Sequence, residues 1–352
     1  MECTLDRYTD YLLATPKVAT ATGMSRLFDG QISHDKVTRF LGSSYFDAKT
    51  VWTKAKPLVR AHQSDEHGVL IGDDSILEKA HTDENAMICW HWDHSLGRNV
   101  KGVNFLTLLY HSGPLSVPIN VQLIEKTEAY TDEKTGTIKY RSPLTKNQIT
   151  RQMLKDAQSQ RVPWRYFLGD SWFSSAETMS FIHDTLKKQY IMAVEISRTV
   201  ALSSADKARG VFHRVDALAY PENGEPLRVH LRSVKHEILL VRQVFTNKDG
   251  SQGILYLVSN DTTLDAGSTT TIYKKRWRVE EYHKSVKQHT ALAGSPTKTI
   301  ETQANHIYAA LVAYIKLEAL KLRTGAGHFA IKASITAIAT KAAFEALRMI
   351  SA

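Results

Sequence analysis

Cysteine is almost missing from this chain: Cys3 and Cys89 are the only two in 352 residues. A framework of several disulfides and a multi-cysteine zinc site are therefore excluded, and a reducing compartment is the expected setting. Long apolar runs are missing too. None approaches the ~18 residues that span a bilayer. The opening MECTLDRYTDYLL has neither the basic start nor the apolar stretch of a signal peptide, so a cytoplasmic protein is expected. No tandem repeat or low-complexity tract occurs. Nor is there a GxGxxG, a Walker loop, an HExxH or a GxSxG, so the common nucleotide and hydrolase signatures do not apply. What remains is 43% hydrophobic and 23% charged, an ordinary balance for one large or two medium domains with a real core.

Acidic residues fall short of basic ones, 36 against 45, for a net charge of +9. A basic chain suggests a polyanionic partner. The surplus is unevenly spread. Residues 1–65 carry nine basic and seven acidic side chains, whereas YKKRWRVEEYHKSVKQ, Tyr273 to Gln288, carries six basic and two acidic ones.

The pattern divides the chain into four stretches. Residues 1–65 read as helical, with Ser33 a cap before HDKVTRFL and breaks around Gly23 and Gly30, and are compatible with a helix-turn-helix-like unit or a plain helical cap. Residues 66–196 open with β-branched and aromatic runs (HGVLIGDD, AMICWHW, VNFLTLLYH, VPINVQLIE) and then alternate helix and strand, the mark of a mixed α/β sheet with helices on its faces. Residues 197–262 read as a β-rich insertion of hairpins, with turns at Glu222-Asn223-Gly224 and Lys248-Asp249-Gly250. Residues 263–352 are helical: the basic stretch, the apolar YAALVAYIKLEAL, which reads as a core face, and an Ala-rich terminal helix.

Three acids stand where chemistry is possible. Asp73 follows Val69-Leu70-Ile71-Gly72 and Asp170 follows Tyr166-Phe167-Leu168-Gly169, so each is expected at a strand end that ligands can reach. The third is Glu280. On one helix at ~100° per residue, Tyr273, Arg276, Glu280, Lys284 and Lys287 share a narrow stripe, with Glu281 at its edge. Three carboxylates from two strand ends and a helix suit two divalent cations, Mg²⁺ or Mn²⁺, for phosphodiester chemistry, and the neighbouring cations suit DNA phosphates.

The order IGDDS, LGDSWF, a β-rich insertion and then Tyr-x2-Arg-x3-Glu-x6-Lys resembles the bacterial insertion-sequence DDE transposases with a Tyr-Arg-Glu-Lys signature, over about residues 66–290. The resemblance implies an RNase H-like α/β core, residues 66–196 and 263–352, interrupted by the insertion at 197–262; the helical stretch at 1–65 ahead of it is expected to be a DNA-binding domain. It implies Asp73, Asp170 and Glu280 as catalytic residues and ligands of two Mg²⁺ ions, for which Mn²⁺ substitutes. It makes Tyr273, Arg276 and Lys287 contacts to phosphates near the cut, with Lys284 beside them. Double-stranded DNA, as element ends and target, becomes the partner, and a homodimer on DNA at the nucleoid the working form. A structure-selective nuclease on the same core, and a non-catalytic DNA-binding protein, are the alternatives.

Asp74 directly follows Asp73. Successive strand residues face opposite ways, and the family pattern of Asp, any residue, then Ser or Thr selects Asp73 with Ser75. In this family a displaced base often stacks on an aromatic side chain. The insertion has no Trp, leaving Tyr220, Tyr256 or Phe245 as platforms, or none. Trp277 is expected to pack its helix on the sheet. Cys89 and His91 share a strand face that excludes His94, which argues against a metal site there.

Overall fold

The computed structural model describes residues 1–15, 18–64, 68–93, 96–247, 249–295 and 297–350. The chain opens with four helices, α1 (Leu5–Ala14), α2 (Ala21–Leu27), α3 (His34–Ser43) and α4 (Ala48–His62). Their starts follow local chemistry: Thr4, Thr20, Ser33 and Asp47 each accept the backbone N–H three residues on. Gly23, expected at a break, instead lies inside α2. The Tyr11 hydroxyl fills the space where its side chain would begin.

Four antiparallel strands follow: β1 (Val69–Glu78), β2 (Ile88–Asp93), β3 (Arg98–Ser112) and β4 (Leu115–Leu123). β3 pairs on one edge with β1 over Gly102–His111, and its other edge takes β2 on its first half and β4 on its second. β5 (Glu128–Thr131) and β6 (Ile138–Arg141) form a separate exposed hairpin. Beyond α5 (Lys146–Ser159), β7 (Tyr166–Gly169) joins β1 in parallel. α6 (Ala176–Ser180) runs into a π turn, Phe181–Thr185, and β8 (Gln189–Val194) then joins β7 in parallel. This is the mixed α/β sheet of an RNase H-like fold, with the four antiparallel strands β1 to β4 beside the parallel β7 and β8.

The insertion is not a separate β unit. It begins with a small lobe of β9 (Thr199–Val200), α7 (Ser204–Arg209) and β10 (His213–Arg214). β11 (Leu227–Val229), β12 (Ile238–Thr246) and β13 (Gln252–Ser259) then extend the main sheet, β13 pairing antiparallel with β8. Among the described residues the sheet therefore has nine strands in the order β11-β12-β13-β8-β7-β1-β3-β2, with β4 on β3. The run LLVRQVF identifies a strand but not its partner, because pairing is set by the edge that β8 leaves open, whereas LRVHLRSV, read as one strand, forms β11 only over Leu227–Val229.

The last part comprises α8 (Ala266–Lys274), α9 (Trp277–His289), α10 (Ile300–Thr324) and α11 (His328–Ile350). α10, which contains the apolar run, is buried along most of its length and joins the N-terminal helices to the sheet. The Tyr8 hydroxyl meets His306 Nδ1 at 2.9 Å, and Asn305 Nδ2 donates to the carbonyls of Leu41 and Ser44. On the other side the hydroxyls of Tyr308 and Tyr314 donate to the carbonyls of Val121 and Ser116 in β4. The N-terminal helices thus share one hydrophobic core with the sheet. α11 contributes no buried residue.

Candidate active site

The two Gly-Asp pairs are positioned by one ring. A side chain begun at Gly72 would lie 2.7 Å from Phe167 Cζ, and one begun at Gly169 would lie 3.0 Å from Phe173 Cβ and 3.2 Å from Phe167 Cε1. Glycine before each Asp therefore lets the parallel strands β1 and β7 close on Phe167, which sets Asp73 near Asp170; Asp170 follows the end of β7 as expected, but Asp73, expected at a strand end, lies in the middle of β1, which continues to Glu78 against β3. Asp73 is 8% exposed. Asp170 caps a 3-10 turn, Ser171–Phe173, by accepting the Trp172 N–H at 2.9 Å.

The side chains of Asp73 and Asp74 are held by different partners. Asp74 accepts the Asn104 amide and the Lys146 ammonium, both at 2.8 Å. Asp73 faces the helices, where Arg276 Nη1 lies 3.6 Å from its Oδ2 and Arg276 Nη2 lies 3.5 Å from Glu280 Oε1.

The basic stretch is not one helix. α8 ends at Lys274 and α9 starts at Trp277. Across the junction the bonds tighten to three-residue spacing: Arg276 N–H to the Tyr273 carbonyl at 2.8 Å and Val279 N–H to the Arg276 carbonyl at 3.1 Å. Winding at that spacing turns ~120° per residue, so the single stripe drawn from Tyr273 to Lys287 does not hold. Tyr273 turns inward, 8% exposed, and its hydroxyl donates to the Gly169 carbonyl at 3.3 Å. Arg276, in the junction, turns to the acids. Glu280, Lys284 and Lys287 lie on α9, with both lysines exposed. Trp277, expected against the sheet, is 62% exposed, because the junction turns its ring outward while Val279, Tyr282 and Val286 face the core.

One site residue was missed. Asp73, Glu280 and His283 present ligand atoms that all lie within 4.8 Å of one another, and Asp170 is outside that tight group. His283 is one helical turn after Glu280, and that spacing was the available signal. Its Nε2 is buried with no hydrogen-bond partner among the described residues. Burial, with the added fields of Lys287 and Arg276, lowers its pKa to about 3, so the ring stays neutral.

Burial is also the main influence on Asp73. Although Arg276 pulls the other way, burial together with repulsion from Asp170, Glu280 and Asp74 pushes its carboxyl up to about 8. Asp170 is raised as well, by burial, against the stabilising Trp172 N–H and Arg276. Carboxylates that repel one another at a half-open strand end are a donor set that fits a hard divalent cation.

Two family models match the chain: that of the DDE superfamily endonucleases over residues 2–211, and that of the transposase DDE domain over residues 132–316. The chain belongs to the DDE superfamily. The first match contains Asp73 and Asp170 and the second contains Asp170 and Glu280, so the two models overlap on the middle acid. No curated protein is a significant match to the chain. DDE proteins of these families cleave nucleic acid and use divalent metal ions, and DNA is the partner on which transposases act.

Other residues of the DDE chain that the sequence singled out have surroundings of their own. Tyr256 is buried, and the Tyr220 hydroxyl donates to the Val215 carbonyl. Phe245 is 42% exposed, yet its ring covers Gly253 on the facing strand. Cys89 Sγ and His91 Nε2 do share a face of β2, 3.3 Å apart, and His94 lies outside the described residues. No helix among the described residues is long and apolar enough to cross a membrane.

Proposed function

We propose that this DDE protein is a cut-and-paste transposase that binds the terminal inverted repeats of an insertion sequence, cleaves the DNA at the element ends and joins the freed 3′-ends to target DNA. The observation that carries this reading is the junction of Asp73, Glu280 and Arg276, with Asp170 on the adjacent strand end. Asp73, Asp170 and Glu280 are the proposed ligands. Two bound Mg²⁺ ions, or Mn²⁺ in their place, would activate the attacking water or 3′-hydroxyl and stabilise the leaving oxygen.

The chain's own residues do the rest. Arg276 keeps the three acids from repelling one another before the site is loaded, and it orients Glu280 toward Asp73. His283 is a neutral neighbour that adds no charge beside Asp73 and Glu280. Lys284 and Lys287, exposed on α9 one and two turns after Glu280, receive phosphates whose charge would otherwise keep the backbone away. Tyr273 acts as a positioning residue through the Gly169 carbonyl, next to Asp170. Two ends need two such centres, so a homodimer on double-stranded DNA is the proposed working form, acting at the nucleoid in the bacterial cytoplasm.

The test is a joining assay. The protein is incubated with Mg²⁺, a labelled fragment carrying the sequences that flank its gene, and a supercoiled target plasmid. Transfer of label to the plasmid is the expected result. Cleavage without any transfer would favour a nuclease on the same core.

A further inference from the structure

A second group of metal-ligating side chains lies away from the acids. His183 and Asp184 sit in the π turn Phe181–Thr185, and His236 stands just before β12. Their ligand atoms all lie within 4.8 Å of one another. The two imidazole rings are stacked, with centroids 3.9 Å apart and planes 25° apart, and His183 Nδ1 is 2.7 Å from Asp184 Oδ1. These residues enter the sheet at the starts of β8 and β12, whereas Asp170 follows the end of β7, which runs parallel to β8. The group is therefore at the opposite end of the strands from the catalytic acids.

His236 carries the argument. Its Nε2 is 2.9 Å from the hydroxyl of buried Tyr190, and its Nδ1 is buried with no hydrogen-bond partner among the described residues. A buried ring nitrogen left in this way costs stability unless something binds it. Tyr190 does for His236 what an outer partner does for a metal-bound histidine: it fixes the ring and engages the nitrogen that is not a ligand. Lys207, which donates to the Val234 carbonyl, holds the segment that presents His236. π turns recur at functional sites, and this one places adjacent His183 and Asp184 toward the same point. His183 is partly exposed, and histidine χ2 is a broad, soft torsion, so a small turn of that ring aims both imidazoles at one ion.

We propose that His183, Asp184 and His236 bind one transition-metal dication of the zinc class, with a fourth position left to water, and that the ion ties the π turn to the entry of β12. Two imidazoles and one carboxylate select zinc-class ions over Mg²⁺, which prefers oxygen donors. The site is thus chemically distinct from the all-carboxylate set of Asp73, Asp170 and Glu280.

The test uses tag-free, full-length protein stripped by a chelator, with Zn²⁺ binding followed by calorimetry in excess Mg²⁺ and Co²⁺ binding followed by visible absorption. One tight Zn²⁺ per chain is expected, retained in the Asp73→Asn, Glu280→Gln double variant. Affinity should fall by about 100-fold or more in His183→Ala and in His236→Ala. His183 is partly exposed and its replacement leaves the core intact, so that variant reports on binding even if His236→Ala fails to fold. Absence of tight Zn²⁺ binding in the parent protein, unchanged binding in His183→Ala, or loss of binding in the double variant would each overturn the proposal.

Discussion

The guanidinium of Arg276 bridges two carboxylates, 3.6 Å from Asp73 and 3.5 Å from Glu280. Its side chain is 19% exposed, so this is a partly desolvated pairing and not a surface ion pair. Removing the cation strands Asp73 among Asp170, Glu280 and Asp74. Arg276→Ala should therefore lower the stability of the metal-free protein by about 1–3 kcal/mol at pH 8, as read from urea unfolding. Because Arg276 is committed to the acids, the salt dependence of DNA binding should change little. A large change in that dependence would mean that Arg276 leaves the acids for a phosphate.

The lysines of α9 should behave in the opposite way. Lys284 and Lys287 are exposed, and each phosphate contact removed should reduce the slope of log K against log salt by about 0.9. Lys284→Ala and Lys287→Ala are expected to show this with folding unaffected, measured by fluorescence anisotropy over a salt series.

Asp73 gives a pH dependence with a definite sign. Its folded pKa of about 8 lies above the ordinary aspartate value of 3.8, so the folded state disfavours the ionised form. Its unfavourable contribution is absent below pH ~4, grows as pH rises toward 8, and is complete above that. Asp73→Asn should therefore stabilise the metal-free protein more at pH 8 than at pH 5, by several kcal/mol between the two. Mg²⁺ must displace that proton, so its affinity should rise about tenfold per pH unit up to about pH 8, as measured by calorimetry in buffers of different ionisation enthalpy.

The glycine before Asp73 is a packing requirement. A methyl at Gly72 would sit 2.7 Å from the Phe167 ring. Gly72→Ala should cost about 1–3 kcal/mol in stability and displace Asp73, reducing cleavage as well. Adding Phe167→Leu should recover part of the stability, measured by thermal unfolding of the single and double variants.

The mixed sheet, the end of β7 before Asp170 and the buried helix α10 were legible in the sequence because apolar runs of known length alternate with caps and turns; the end expected at Asp73 was not there, because β1 continues through it to Glu78, paired with β3. Ser33, for example, caps α3 through the Lys36 N–H. The acids were legible as candidates because glycine precedes both Asp73 and Asp170, although the reason, the shared Phe167 ring, is a contact between strands far apart in sequence. The junction at Lys275–Arg276 was not legible. No proline or glycine marks it, and a shift from four-residue to three-residue hydrogen bonding has no composition of its own. That shift buries Tyr273 and exposes Trp277, reversing what a single helical wheel assigns to them. The extension of the sheet by β11 to β13 was hidden for a related reason: a hairpin pattern specifies strands but not which edge receives them. His283 was overlooked because its one signal, the one-turn spacing after Glu280, gains meaning only when Asp73 is folded against the same helix face.

The central claim is that Asp73, Asp170 and Glu280 form one cation-dependent cutting site. Its most direct test is cleavage of end-labelled DNA carrying the flanks of the gene, with Mg²⁺ on a denaturing gel, by the parent protein and by Asp73→Asn, Asp170→Asn, Glu280→Gln and Asp74→Asn. Loss of several kcal/mol of transition-state stabilisation should slow the first three by about 10³-fold or more, with DNA binding retained. Asp74→Asn, whose carboxylate is engaged by Asn104 and Lys146, should keep most of the activity. Cleavage that survives in Asp73→Asn or Glu280→Gln, or that is abolished only in Asp74→Asn, would contradict the account.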